Sequence, residues 1–503
     1  MRRSLVAALL TGGLTFAFAP VLAAPIHPGV TPSHPAVMNP ALFYPQHKVR
    51  LKSISTDPWT NSDSQHQTEV EPDAFAWGST IVSVFQQGRY YTGGGASDIG
   101  FSTSTDGGKT WTPGYFKGWT QIENSKNPYQ RVSDPSVAYD AKHAVWLMAA
   151  LPINNSTGLF PAVAGSTDGL TWTNPVQVAK TGADFEDKSW IGCDDWSASP
   201  YYGNCYVEFD DASAGEQEYM TTSSDGGKTW SKPYLVTNVF GIGGQPIAQP
   251  NGNVVVADFT ANGTIGAYTS TNGGKTWGNF VNVATVNYNI QGGGLRSRVL
   301  PSSAEDGAGN VYVAWPDCSF RSNCSTDDIV YATSSDGKTW SQVTRVPIDP
   351  TNSQDDHFFP ALAINQATMG ASAHIGLTYY YYPNGACVSS NCQLFGAFIG
   401  SKDGGATWSH PKNVLGPLST TWLANTDQGF MVGDYVGISA DTSGRYNGIY
   451  EDATVPGTLF NEYTVTSRRG LKALGERYDL SSRGDRQISR RPYRNLFRET
   501  DTL

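Results

Sequence analysis

Short apolar runs, each bounded by Gly, Pro, Asn or Asp, follow one another along most of this sequence. Residues 80–85, 144–150 and 254–259 are examples, and residues 47–55 alternate between polar and apolar positions in the same way. Runs of this length between turn residues are typical of β-strands, and long amphipathic helical stretches are absent from the sequence. The pattern therefore predicts an all-β protein.

A second pattern, Ser-x-Asp-x-Gly-x-Thr-Trp, recurs between these runs. The Asp-Gly step favours a tight turn in which the Asp side chain accepts hydrogen bonds from nearby backbone N–H groups. Thr-Trp then opens a strand with a large apolar anchor. Each copy predicts a hairpin between the third and fourth strands of a four-stranded unit, repeated radially as in a β-propeller. The copies, of which the second and fifth are one residue short and the fourth has Asn272 for Asp, are residues 104–111, 166–172, 223–230, 270–277, 334–340 and 401–408.

Three strand-like runs follow the last copy without a further one, at residues 433–438, 446–450 and 460–466. Together with the strand predicted at residues 47–55, these runs complete one more four-stranded unit. Closing the ring in this way removes its exposed edges. The sequence therefore predicts a β-propeller of seven four-stranded blades closed by an N-terminal strand. Six blades with an appended β-unit is the alternative.

The two ends of the chain differ from its body. Residues 1–23 have a basic start, an apolar stretch and a small-residue cleavage site, and predict a signal peptide and a secreted protein, extracellular or periplasmic. Residues 24–45 are proline-rich and predict an extended leader, residues 46–468 form the propeller, and residues 469–503 predict a basic, disordered tail. No later segment is apolar enough to predict a membrane span.

Cysteine spacing and net charge narrow the function classes. The cysteines form three close pairs that predict disulfides in an oxidising compartment: Cys193 with Cys205, Cys318 with Cys324, and Cys387 with Cys392. The net charge is −10, and residues 468–503 carry ten basic against five acidic residues, so the rest is near −15. An acidic body argues against a nucleic-acid partner.

The six repeats resemble the Asp-box repeats of the bacterial neuraminidase repeat superfamily, which includes sialidases and other secreted glycan-acting propellers. The resemblance implies a glycan or polysaccharide substrate and a glycoside hydrolase. It also implies that the repeats lie on the blade periphery, away from the active face, and that a Tyr such as Tyr435 or Tyr463 could serve as nucleophile. The Arg-Ile-Pro tripeptide of sialidases does not occur in this sequence.

In a propeller the first strands of the blades line the central channel, and ligands bind at one of its mouths. The starts of these strands are unusually polar here. Arg binds carboxylates through a bidentate fork, and carboxyl groups exchange protons with a glycosidic oxygen. We predict catalytic roles for Asp134, Asp356, His357 and Tyr435, and substrate binding by Arg131, Lys188, Arg296 and Arg298. The full set of polar strand-start residues is Glu71, Asp73, Arg131, Asp134, Asp187, Lys188, Gln245, Arg296, Arg298, Asp355, Asp356, His357, Asp434 and Tyr435.

Two other functions compete with hydrolysis. A polysaccharide lyase would use His357 or Tyr435 as its base, and a non-catalytic binding module would use the aromatic side chains of Trp59, Trp119, Trp196 and Trp422. No cofactor is predicted. Calcium is a further hypothesis, because Asp134, Asp187, Asp356 and Asp434 come from four different strand starts and could supply oxygen ligands.

Overall fold

The computed structural model describes residues 49–178, 185–388 and 391–473. The predicted signal peptide and leader lie outside the described residues, and so does the predicted tail from residue 474 onward. The first residues of that tail contain a short strand, Leu471–Lys472, which pairs with Arg445 and Tyr446. The tail therefore begins within the folded body.

The described chain consists of short strands with four single-turn 3-10 helices at Ala212–Ala214, Ser322–Cys324, Gly370–Ser372 and Thr420–Trp422. The strands are β1 (Leu51–Ser53), β2 (Glu69–Trp77), β3 (Thr80–Arg89), β4 (Ala96–Ser104), β5 (Thr112–Tyr115), β6 (Arg131–Asp140), β7 (Val145–Asn154), β8 (Thr157–Gly158), β9 (Ala162–Ser166), β10 (Val176–Gln177), β11 (Glu186–Cys193), β12 (Cys205–Asp211), β13 (Gln217–Ser223), β14 (Tyr234–Ile242), β15 (Ile247–Ala248), β16 (Val254–Thr260), β17 (Thr264–Ser270), β18 (Gly278–Thr285), β19 (Ser302–Glu305), β20 (Val311–Asp317), β21 (Asp328–Ser334), β22 (Thr344–Arg345), β23 (Asp356–Ile364), β24 (Ile375–Tyr382), β25 (Gln393–Ser401), β26 (Lys412–Ser419), β27 (Ala424–Thr426), β28 (Gly429–Met431), β29 (Gly437–Ala440), β30 (Arg445–Ala453), β31 (Glu462–Ser467) and β32 (Leu471–Lys472).

The strands pair in sequence order as antiparallel meanders, which confirms the all-β prediction. Successive meanders begin at β2, β6, β11, β15, β19, β23 and β29. The first strand of each contacts the first strand of the next, and β29 contacts β2. The N-terminal β1 pairs antiparallel with β31, with Leu51 opposite Ser467. The number of blades stays a prediction.

The first Ser-x-Asp-x-Gly-x-Thr-Trp copy turns the chain between β4 and β5. The Asp106 carboxylate accepts hydrogen bonds from the backbone N–H groups of Lys109 and Thr110 and from the Thr110 hydroxyl. The Ser104 hydroxyl accepts from Gly108 N–H, and the Trp111 indole donates to the Gly108 carbonyl. Polar side chains thus satisfy the turn backbone while the indole is buried.

Apolar side chains fill the spaces between neighbouring sheets, where Trp315 and Trp119 are among the largest fully buried residues. Trp119 is therefore not available as a surface platform for a ligand. The predicted cysteine pairs are confirmed as disulfides: Cys193–Cys205, Cys318–Cys324 and Cys387–Cys392. Within the described residues, no helix is both long and apolar enough to cross a membrane.

Candidate functional site

Three of the first strands begin with an irregularity that turns a charged side chain out of the regular pleat. Glu71 in β2, Asp134 in β6 and Lys188 in β11 have positive φ angles of 55°, 50° and 30°. The strand register shifts at each of them, as in a β-bulge. Non-glycine residues in this conformation cost of order 1–3 kcal/mol each and concentrate at functional sites.

These bulges bring their side chains together at a group that we call the central ion cluster, formed by Glu71, Asp134, Lys188, Arg296 and Asp434. The Lys188 ammonium lies 2.6 Å from Oδ1 of Asp134, 2.8 Å from Oδ2 of Asp434 and 3.5 Å from Oε1 of Glu71. Residues far apart in sequence therefore share one buried cation.

Arg296 closes the cluster from the loop between β18 and β19. Its Nε donates to Oδ1 of Asp434 at 2.8 Å and its Nη2 donates to Oδ2 at 2.5 Å. The Arg296 side chain is 12% exposed, whereas that of Asp434 is 0% exposed. Solvent thus reaches the cluster on the Arg296 side, and Asp434 occupies the bidentate fork.

Glu71 and Asp434 both contact the Lys188 ammonium, but their surroundings shift their pKa values in opposite directions. Burial raises the pKa of Glu71 to about 7, and the neighbouring Asp134 charge acts in the same direction. Burial acts on Asp434 as well, but Arg296 and Lys188 outweigh it and hold the Asp434 pKa well below its usual range. Near neutral pH, Glu71 is partly protonated while Asp434 is ionised.

Two further side chains of β3, one neutral and one cationic, lie on the Glu71 side of the cluster. Gln86 in β3 donates through Nε2 to Oε2 of Glu71 and to the Ser133 hydroxyl, the latter at 3.1 Å. Arg89, on the same strand, donates to the Gly95 carbonyl at 2.6 Å. Both residues are buried.

Tyr435 lies directly beside the cluster but is enclosed. Its hydroxyl donates to the Pro135 carbonyl at 3.1 Å, and its ring packs edge-on against Trp190. Burial raises its pKa well above the usual range, and the charge of Glu71 adds to that effect. With Lys188 it lines a small cavity, the central cavity, whose wall also includes Trp190, Glu208, Gln245 and Leu300.

Asp356 and His357 belong to a second group of residues. The Asp356 carboxylate accepts from the backbone N–H of Asp327, and the backbone N–H of His357 donates to the Asp327 carbonyl. The His357 ring packs against Tyr379 and Tyr381. Burial raises the pKa of Asp327 to about 8, with Asp356 as the second cause. The predicted catalytic residues thus fall into two groups.

The three arginines predicted to bind substrate do not share partners. Arg131 donates to the carbonyls of Thr92 and Gly94, and its guanidinium carbon lies 3.7 Å from the centre of the Tyr90 ring. Arg296 is paired with Asp434, whereas the side chain of Arg298 is exposed. Of the predicted binding residues, Lys188 and Arg296 are brought together.

The residues of the calcium hypothesis are also divided. Lys188 pairs with Asp134 and Asp434, and its backbone N–H donates to Asp187, whereas Asp356 belongs to the second group. Elsewhere Asp328, Asp349 and His357 place potential metal ligands within 4.8 Å of one another. However, Arg321 and Arg345 each bind both carboxylates and already supply positive charge there.

Sequence reasoning named Glu71 as a strand-start residue without giving it a role, and it missed Gln86 and Arg89. The sequence signal for Glu71 is that it directly precedes a proline, Pro72, near the start of a first strand. Asp134 precedes Pro135 in the same way. The signal for Gln86 and Arg89 is the end of the otherwise apolar strand β3, which stays buried to its last residue.

No family model matches the sequence, and no curated protein is significantly similar to it. Among solved structures, a protein of unknown function from Dyadobacter fermentans DSM 18053 is 15% identical with a TM-score of 0.43, over 69% of this chain and 98% of that one. A mutant of NanB sialidase from Streptococcus pneumoniae is 14% identical with a TM-score of 0.41, over 83% of this chain and 70% of that one. The intramolecular trans-sialidase from Ruminococcus gnavus is 15% identical with a TM-score of 0.39, over 84% and 99% of the two chains. Similarities of this size do not decide the reaction.

Proposed function

We propose that this protein is a secreted, seven-bladed Asp-box propeller that hydrolyses an acidic glycan at the central ion cluster. The contacts between successive first strands, returning from β29 to β2, support the ring, and the pairing of β1 with β31 supports closure by the N-terminal strand. The three disulfides and the signal-like sequence of residues 1–23 support secretion.

The observation that carries the proposed reaction is the unequal protonation of Glu71 and Asp434 around one ammonium group. Pairs of carboxyl groups whose environments separate their pKa values divide the acid and base roles in hydrolases. In this proposal Glu71 donates a proton to the leaving glycosidic oxygen as the glycosidic bond breaks. A water molecule then bonds to the anomeric carbon, and the proton that the water loses returns to Glu71. Asp434 stays ionised and stabilises the positive charge that develops on the sugar.

Substrate recognition falls to Arg296 and Lys188. Arg296 is the partly exposed member of the cluster, and its fork matches a carboxylate in geometry. A sugar carboxylate entering from solvent takes the place of Asp434 on that fork, which leaves Asp434 on Lys188. The substrate class is therefore a glycan with a carboxylated terminal sugar.

The direct test is turnover of a fluorogenic sialoside, with fluorogenic uronides and neutral glycosides beside it. We expect turnover of a carboxylated substrate and at least a hundredfold loss of kcat in Glu71→Gln. Glu305→Gln is the matched control, because burial also raises the Glu305 pKa to about 7 but its carboxylate binds Gln366 outside the cluster. Wild-type-like turnover in Glu71→Gln would remove the central ion cluster from the mechanism.

A second candidate, a non-catalytic glycan-binding propeller, is favoured by the enclosure of the cluster. The side chains of Lys188 and Asp134 are 6% and 4% exposed, and the charges compensate one another. Specific glycan binding without turnover of any substrate in the panel would support this candidate. The lyase hypothesis is less favoured, because both candidate bases are buried and engaged: the His357 ring packs against Tyr379 and Tyr381, and the Tyr435 hydroxyl donates to the Pro135 carbonyl.

A further inference from the structure

A strongly basic groove lies between the first and the last meander. It has a volume of about 750 Å³, and its two sides are joined where the Thr442 hydroxyl, in the turn after β29, donates to the Gly78 carbonyl after β2 at 3.3 Å. We call it the basic groove. The cations that line it are Lys52, Lys109, Arg445, Arg468 and Arg469.

Backbone and side-chain hydrogen bonds fix the segments that carry these cations. Lys52 belongs to β1, which pairs with β31, and just beyond this pair the Arg468 N–H donates to the Arg50 carbonyl at 2.9 Å. Arg445 begins β30, and its Nη1 donates to the Arg469 carbonyl at 3.0 Å. Arg468 and Arg469 are themselves exposed. The groove is therefore held by the folded body while its rim is open to solvent.

The acids of the basic groove do not neutralise it. Only Asp106 and Asp441 line it beside the five cations, so the lining has a net charge of +3 by subtraction. Both carboxylates accept hydrogen bonds within their own turns, Asp106 from Thr110 N–H at 2.8 Å and Asp441 from Arg445 N–H at 2.9 Å. None of the ion pairs in the described part of the chain includes any of the five cations.

The sequence on either side of the folded body does not supply the missing negative charge. No Asp or Glu occurs before Asp57, and residues 474–503 carry seven arginines against five acidic residues, a net of +2 by subtraction. The chain as a whole has a net charge of −10, so the groove is a local concentration of positive charge on an acidic protein. Unpaired cations gathered in a cleft attract anions from solution.

We propose that the basic groove binds an anionic polysaccharide, that is, a linear glycan that carries sulfate or carboxylate groups. The guanidinium fork of Arg binds such groups through two hydrogen bonds, and Lys adds a point charge. The hydroxyls of Ser79, Thr442 and Ser443 line the same groove and donate to protein oxygens, which leaves their lone pairs to accept from sugar hydroxyls. The volume is in the range of ligand sites of about 300–1,000 Å³ and is sufficient for a short glycan segment.

The chemistry of the lining separates a polysaccharide from other polyanions. Every residue that the structure places in the lining is a glycine, a Ser or Thr, or a charged residue. Single-stranded nucleic acids are held by stacking of their bases on aromatic side chains, and amphipathic proteins bind membranes by burying apolar side chains among the lipids. A hydroxylated polymer with anionic substituents requires neither aromatic nor aliphatic contacts.

The basic groove is separate from the central ion cluster. Glu71 lies near the start of β2 and Asp434 precedes β29, whereas Gly78 and Asp441 follow the ends of these strands. The extended chain from Glu71 to Gly78 spans roughly 20 Å. The inference therefore goes beyond the proposed hydrolysis and does not depend on it, because the groove attaches the protein to a polymer without taking part in the reaction.

The experiment measures binding of fluorescein-labelled heparin, a sulfated polysaccharide that contains uronic acids, to the full secreted chain by fluorescence anisotropy. We expect saturable binding that weakens as salt rises from about 50 mM to about 200 mM, because salt ions screen and compete for the cations. Unlabelled heparin should displace the probe, whereas neutral dextran should not. Absence of saturable binding would overturn the proposal.

Variants locate the binding. Arg468→Ala combined with Arg469→Ala is expected to weaken heparin binding about tenfold, and Lys109→Ala about threefold. Lys228→Ala is the matched control, because Lys228 is exposed at the same position of the third repeated turn, where its N–H donates to Asp225 at 3.0 Å. It should keep the natural affinity. All these positions are exposed, so Tm should stay unchanged and report that each variant folds.

Two other outcomes would contradict the assignment. Natural affinity in the double arginine variant would overturn the groove as the binding site and would assign heparin binding to the basic residues after residue 473. Single-stranded DNA, or vesicles of pure phosphatidylserine, bound as tightly as heparin would overturn the choice of a polysaccharide. Glu71→Gln should bind heparin with the natural affinity, so that failure of the proposed hydrolysis and failure of this binding site are distinguished.

Discussion

The ammonium group of Lys188 lies 2.6 Å from Oδ1 of Asp134, although 54 residues separate them in sequence. Each residue lies near the start of the first strand of its own meander, and each has a positive φ. The contact therefore depends on two bulges and on the packing of two sheets. Asp434 then joins the same ammonium from the other end of the chain.

Removing the shared cation should be strongly destabilising. Lys188→Met leaves Glu71, Asp134 and Asp434 buried without that partner, and loss of one member of a buried ion pair costs about 3–5 kcal/mol. Chemical denaturation should show a free energy of unfolding reduced by this amount. Lys109→Met is the control at an exposed lysine, with an expected change within about 0.5 kcal/mol. Equal stability of the two variants would contradict the electrostatic role of Lys188.

The pH dependence of turnover should follow Glu71. As a proton donor it must be protonated, so kcat/KM should decrease as pH rises through about 7. The charge of Asp134 helps to raise the Glu71 pKa. In Asp134→Asn, the descending limb of the pH profile of the residual activity should therefore lie at lower pH than in the natural enzyme. A limb that stays in place or moves to higher pH would exclude Glu71 as the acid.

Asp73 should make stability depend on pH. Burial raises its pKa from 3.8 to about 7, so the folded protein binds more protons than the unfolded chain between these values. The contribution of Asp73 to the free energy of unfolding is therefore largest below pH 3.8. It decreases as pH rises toward 7, by about 4 kcal/mol at most. Asp73→Asn keeps an oxygen that can accept from Val137 N–H. Urea midpoints measured across this range should decrease less in Asp73→Asn, and an unchanged slope would refute the assignment.

The fourth copy of the repeated turn has Asn272 where the first has Asp106, so it shows how the turn accommodates an amide in place of the carboxylate. Asp106→Ala removes the acceptor of the Lys109 and Thr110 N–H groups and should destabilise by about 1 kcal/mol, as loss of a capping Asp does. Asp106→Asn should be nearly neutral, because Asn272 already accepts from Thr276 N–H and donates to its hydroxyl. Thermal unfolding of both variants tests this, and equal losses would show that the charge of Asp106 matters more than its geometry.

Local features of the sequence were sufficient to predict the strands, the position of the turns and the cysteine pairs. The Ser-x-Asp-x-Gly-x-Thr-Trp copies identify hairpins because Asp106 and Thr110 interact within the turn itself. Cys387 and Cys392 are close in sequence and so are constrained to be close in space. The polar strand starts were recognised as a set for the same reason, since each is a local departure from an apolar run.

Which of these residues converge was decided only by the tertiary structure. Lys188 and Arg296 meet around Asp434, whereas Arg131 binds neighbouring carbonyls and Asp356 joins Asp327. The direction of a side chain at a strand start depends on the bulge and on the twist between sheets, and neither follows from residue type. Likewise, the buried carboxyl groups of Glu208, Glu218 and Asp258 meet only because β12, β13 and β16 pack together, and nothing in the sequence indicates that these acids face one another.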